Sequence, residues 1–121
     1  MSIGVWIGVG LIGGIGAVSR FAVDSGVQRA KPSELPLGTL AINVSGTFVL
    51  GLLTGLSVTG NALLLVGTAL IGSFTTFSTW MFETQRLAED RELVYALVNI
   101  GLGVGAGLCA AVCGWALGGA L

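Results

Sequence analysis

The apolar pattern falls into three charge-free runs separated by two short charged stretches. Residues 2–19 carry no charge over 18 positions, residues 35–82 none over 48, and residues 93–121 none over 29. A helix needs about 20 apolar residues to cross a hydrocarbon core ~30 Å thick. The first and last runs therefore predict one span each, and the middle run predicts two. Ser57-Val58-Thr59-Gly60-Asn61 is the cluster of turn-forming residues near the midpoint of that middle run, so the chain turns there. The predicted spans are 3–22, 37–56, 62–82 and 93–117, in one four-helix transmembrane domain over residues 1–121. Strand alternation is missing, which argues against a membrane β-barrel. The first run lacks a positively charged start and its glycine-rich body continues into Arg20, which argues against a cleaved signal peptide.

Composition agrees with that reading. Hydrophobic residues make up 54% of the chain and charged residues 9%. A water-soluble domain carries about 25% charged residues, so this chain cannot cover a water-facing surface and is an integral membrane protein. Five Lys and Arg against six Asp and Glu leave no basic patch for nucleic acid. Without histidine and with two cysteines, the chain has neither a catalytic triad nor a zinc ligand set. Nothing points to an enzyme. Cys109 and Cys113 read as inert, small apolar residues.

Charge also predicts sidedness. Arg20, Arg29, Lys31, Arg86 and Arg91 all fall in or beside the loops after the first and third spans, and none falls on the other side. Positive charge stays in the cytoplasm, so a multi-pass cell-membrane protein with both termini outside is expected. Glycines four apart (Gly4/Gly8, Gly10/Gly14, Gly51/Gly55, Gly101/Gly105 and Gly103/Gly107) allow the close backbone approach on which helix packing in lipid relies. A chain this small has little interior of its own, so it is expected to oligomerise.

Polar groups at membrane depth are costly and mark function by default. Asn43 lies early in the second span, and its amide suits either a helix–helix hydrogen bond or a donor role toward a ligand. In the third span, Ser73, Thr75, Thr76, Ser78 and Thr79 place five hydroxyls within seven positions. Such residues compete for backbone groups. They suit a continuous helix with back-bonded hydroxyls, or a broken helix whose freed carbonyls hold a small cation. Arg20 either reaches the headgroups or gives positive potential to the mouth of an anion path. Asn99, Gly103 and Gly107 share one face of the fourth span, as a packing groove or as a narrow polar track. No acidic residue falls inside a predicted span, which excludes a proton-coupled exporter of cations built on a membrane carboxylate.

With these motifs in hand, GGIGAVSRF, PLGTLAINVSGTFVLG and GSFTTFSTW-x2-E resemble the Fluc (CrcB-type) fluoride channels over nearly the whole chain, including the GLCAAVCG tail. The resemblance implies an all-α membrane protein of four transmembrane helices with the third interrupted, assembled as an antiparallel dimer. It implies passive, fluoride-selective export that protects against fluoride toxicity. By position, Asn43 would be the pore amide, Phe77 and Trp80 the pore rings, and Arg20 the vestibule arginine. Thr76 and Ser78 would stand at the helix break, with Asn99 on the fourth-helix track. A structural sodium ion at the dimer axis would be held by backbone carbonyls near Gly72 and Thr75 of both chains.

The departures from the family pattern are Trp80, where a second phenylalanine is usual, and Gly103 and Gly107, where Tyr or Ser is common. They line up with the charge bias. An antiparallel homodimer needs one sequence to insert both ways, whereas five positive charges on one side and none on the other favour a single orientation. The partner is then a second copy or, as the bias favours, a paralogous chain of opposite orientation. In the alternative function, this chain is the orientation-fixed, mainly structural subunit of a two-chain channel.

Overall fold

A computed structural model of the chain describes residues 2–121. Its first helix, α1 (Ile3–Ala30), starts where the Ser2 hydroxyl accepts the Val5 N–H at 3.3 Å, relieving one of the unpaired donors of the first turn. It continues for eight residues beyond the predicted end at 22, carrying Asp24, Gln28 and Arg29 past the apolar run. It stops at Lys31, because the residue before Pro32 is driven out of helical geometry. Helix α2 (Leu37–Gly55) follows Pro36. The next turn holds Ser57 and Gly60 at φ of 59° and 66°, inside the predicted 57–61 segment.

The third span is built in two pieces. Helix α3 comprises Gly60–Ala62, a wide π-helical stretch Leu63–Ile71, and Gly72–Phe74. Helix α4 (Ser78–Glu89) resumes after a three-residue break. Helix α5 (Leu93–Ala120) completes the fold. Four segments, Ile3–Ala30, Leu37–Gly55, Gly60–Glu89 and Leu93–Ala120, are long and apolar enough to cross a membrane.

Packing inside the chain is led by α2 against α5. The reason is an interlock of glycines. Backbone carbonyls of Ala111 and Trp115 stand where side chains on Gly51 and Gly55 would be, and those of Phe48 and Leu52 where side chains on Gly114 and Gly118 would be. Removing Cβ on both helices lets the backbones touch, which replaces the hydrophobic drive that lipid does not provide. A similar approach seats the π-helical stretch on α1, since a Cβ on Gly16 would lie 2.5 Å from the Leu70 carbonyl. Gly10, Gly14, Gly101, Gly105 and Gly107 meet nothing within 4 Å, so those glycines do not pack within the protomer.

Burial is inverted relative to a water-soluble fold. Ile3, Ile7, Leu11, Ile15 and Val18 form an exposed stripe on α1, while Thr39, Thr76, Thr84 and Asn99 are buried. An apolar exterior of this extent belongs in lipid or against another chain.

Candidate functional site

The site begins at the break. The Thr75 N–H closes the last turn of α3 on the Ile71 carbonyl at 2.9 Å, and the Met81 N–H opens α4 on the Phe77 carbonyl at 3.0 Å. Thr75 itself is extended, with φ −79° and ψ 160°. Thr76, between the two ladders, has no helical partner for its peptide groups, and at membrane depth such groups must be satisfied by protein. Asn43 does this. Its Nδ2 donates to the Thr76 carbonyl and its Oδ1 accepts the Thr76 N–H, both at 2.8 Å. The Thr76 hydroxyl caps the new helix by accepting the Thr79 N–H at 3.1 Å. It also donates to Thr79 Oγ1 at 3.1 Å and lies 3.4 Å from Ser78 Oγ. Of the hydroxyl cluster, Thr75 back-bonds to the Ile71 carbonyl at 3.0 Å, whereas Thr76, Ser78 and Thr79 gather at the start of α4 and stabilise an interruption.

Two cavities flank this joint, and Thr76 walls both. One, of about 270 Å³, is lined by Asn43, Thr47, Thr75, Thr76, Phe77 and Trp80 among others. An amide has two N–H groups; one on Asn43 is bound to Thr76. Thr47 Oγ1 donates to the Asn43 carbonyl at 2.6 Å, and Gly46 lets α2 approach the Thr75 methyl. The second cavity, about 250 Å³, is lined by Arg20, Phe21, Asp24, Thr39, Thr76 and Thr79. Arg20 therefore shares a wall with Asn43 and Phe77 but lies in a separate space. Helix dipoles meet at the break, with the positive end of α4 at Ser78 and the negative end of α3 at Phe74.

The aromatic pair sits at the edge of the first cavity. Phe77 is 70% exposed, and its ring meets Trp80 edge-to-face, with centroids 5.7 Å apart and planes at 80°. Trp80 donates its Nε1–H to the backbone carbonyl of Asn99 at 3.1 Å. The Asn99 side chain is buried and donates to Thr84 Oγ1 at 2.9 Å, and Thr84 donates to the Trp80 carbonyl at 2.8 Å. The Asn99 amide is thus turned toward Thr84 and is not on the cavity wall. Ser78 is exposed at the start of α4. Gly72 is exposed on α3, and a Cβ there would meet only the Gly67 carbonyl, at 3.9 Å.

Thr47, Gly46 and Thr84 join the site without having been singled out from the sequence. For the first there was a signal, because Thr39, Asn43 and Thr47 recur every fourth residue and so share one helix face. Gly46 stands in the quoted stretch PLGTLAINVSGTFVLG, three residues after Asn43. Nothing local marks Thr84, whose role comes from the packing of α4 on α5.

Comparison with known proteins decides the assignment. Residues 7–115 match the family described as "CrcB-like protein, Camphor Resistance (CrcB)". The chain belongs to this family. Among relatives of this CrcB-like chain, one from Mycobacterium tuberculosis (strain H37Rv) bears the name "Fluoride-specific ion channel FluC 2". It is 53% identical over 114 residues, covering 94% of this chain and 90% of the relative. "Fluoride-specific ion channel FluC 2" of Haloarcula marismortui is 47% identical over 91 residues (75% and 74%). "Fluoride-specific ion channel FluC 1" of Symbiobacterium thermophilum is 39% identical over 119 residues (93% and 96%). The CrcB-like match contains the break, Asn43, both rings and the α2–α5 interlock as far as Trp115.

Proposed function

We propose that this chain is a subunit of a fluoride-selective channel that exports fluoride passively across the cell membrane and so protects against its toxicity. The observation that carries the reading is the Asn43–Thr76 joint beside a cavity lined by neutral donors and an aromatic pair. Fluoride is small and holds water strongly, so a path that strips it needs convergent replacement donors. The second Asn43 N–H is such a donor. The Thr47, Thr75 and Thr76 hydroxyls now donate within the chain and become donors to the ion by turning toward it, and an aromatic ring has a positive edge that can face an anion. Conduction also requires binding weak enough to release the ion. Neutral donors meet that requirement, with Arg20 kept in the adjoining cavity.

In this reading the working unit is an antiparallel dimer. The open glycines of α1 and α5 and the outward apolar surface are available to a second subunit. A sodium ion at the dimer axis would be bound by backbone carbonyls near Gly72 and Thr75, where the negative end of α3 favours a cation. The positive-charge bias favours an orientation with both termini outside and a paralogous partner inserted the other way. Reconstitution into fluoride-loaded liposomes tests this. We expect efflux from the assembly of two opposed subunits and little from this chain alone. Rapid efflux from the chain alone would remove the need for a different partner, and no efflux from either preparation would contradict a channel.

A further inference from the structure

Gly103 occupies the place on α5 where the Trp80 indole comes to rest. A Cβ built on Gly103 would lie 2.5 Å from both Cε2 and Cζ2 of that ring and 2.7 Å from Nε1, well inside van der Waals contact. The indole therefore rests directly on the α5 backbone. There its N–H is bonded to the Asn99 carbonyl, and Thr84 ties both ends of the contact together. The same ring meets Phe77 edge-to-face and lines the cavity beside Asn43. An indole is larger than a phenyl ring. Without the recess at Gly103, the adjoining space open to it is the 270 Å³ cavity that both Trp80 and Gly103 line.

We propose that Gly103 is a positioning residue of the ion path: by lacking a side chain it seats the Trp80 indole against α5, so that the ring walls the cavity next to Asn43 instead of filling it. Trp80 and Gly103 are a matched pair, large on α4 and absent on α5. The Asn99–Thr84 bond fixes the pair by directing the indole N–H at backbone and away from the anion. The inference rests on the channel reading above, and it adds a residue whose effect acts through another side chain.

The experiment compares the parent, G103A and G103A/W80F, each reconstituted as the intact assembly and assayed for fluoride efflux. A second readout is the emission and acrylamide quenching of Trp80 in a W6F/W115F background. G103A is expected to slow efflux by about tenfold or more, a change corresponding to ~1.4 kcal/mol of barrier, and to make Trp80 more readily quenched. Adding W80F is expected to recover most of that loss, since a phenyl ring fits beside an alanine. Unchanged efflux in G103A, or a loss that W80F does not relieve, would overturn the proposal while leaving the channel reading intact. A parent without efflux would instead overturn the channel reading. In that case the quenching alone decides the placement, and identical quenching in parent and G103A would overturn it.

Discussion

Replacing Asn43 with alanine removes both hydrogen bonds that satisfy Thr76 at the break. Thr76 is buried, 8% exposed, and the two bonds are each 2.8 Å long. A buried polar group left without a partner costs about 1–3 kcal/mol, so two orphaned peptide groups cost about 2–6 kcal/mol. The adjoining cavity is large enough to admit water, which places the stability loss near the lower end, about 2 kcal/mol. The same substitution deletes the amide donor. A hydrogen bond to a charged group is worth about 1.5–3 kcal/mol, and each 1.4 kcal/mol is about a factor of ten in rate. Fluoride efflux from Asn43→Ala should therefore fall by about 10- to 150-fold. The assay is fluoride-electrode efflux from liposomes, using protein that elutes as the intact assembly. Efflux within about twofold of the parent, a difference of only ~0.4 kcal/mol, would refute the assignment of Asn43 to the path.

Phe77→Ile removes a ring that is 70% exposed in the protomer. Efflux is expected to fall about tenfold or more, while the thermal unfolding midpoint changes little, as for other substitutions outside the packed interior. Gly114→Val places a side chain on the Phe48 carbonyl. It should separate α2 from α5 at a cost of about 3 kcal/mol or more, read as a lowered unfolding midpoint by circular dichroism in detergent. Gly105→Val, on an open face, should leave the protomer's helicity intact. Replacing sodium by a large organic cation should lower the assembly's melting temperature. A site saturated at 100 times its Kd contributes about 2.7 kcal/mol, and an unchanged midpoint would remove sodium from the account.

The parts of the fold legible in the sequence are those that depend on composition along a single helix. Long apolar runs set the four spans, and the 57–61 cluster marked the turn between α2 and α3. The crowd of hydroxyls between Ser73 and Thr79 pointed to weakened helix continuity, and the break lies within it. The extension of α1 to Ala30 was not legible from hydropathy, because a helix can leave the membrane and continue in water until Pro32 stops it. Partners across helices were the other gap. Asn43 stood out as a polar group at depth, but its pairing with Thr76 depends on how α2 registers against the break. Asn99, Gly103 and Gly107 do share one face, yet the three meet different surroundings: Thr84, Trp80 and open space. Gly114 and Gly118 have the same four-residue spacing as the glycine pairs noted first; only the fold distinguishes those that touch α2 from those left open.

The most direct measurement is anion selectivity of the complete assembly in vesicles loaded with both fluoride and chloride. Uncharged donors converging on a small, strongly hydrated ion should replace the water shell of fluoride and fit chloride poorly, so fluoride should leave rapidly while chloride is retained. Equal escape of the two ions, or retention of both, would contradict the account.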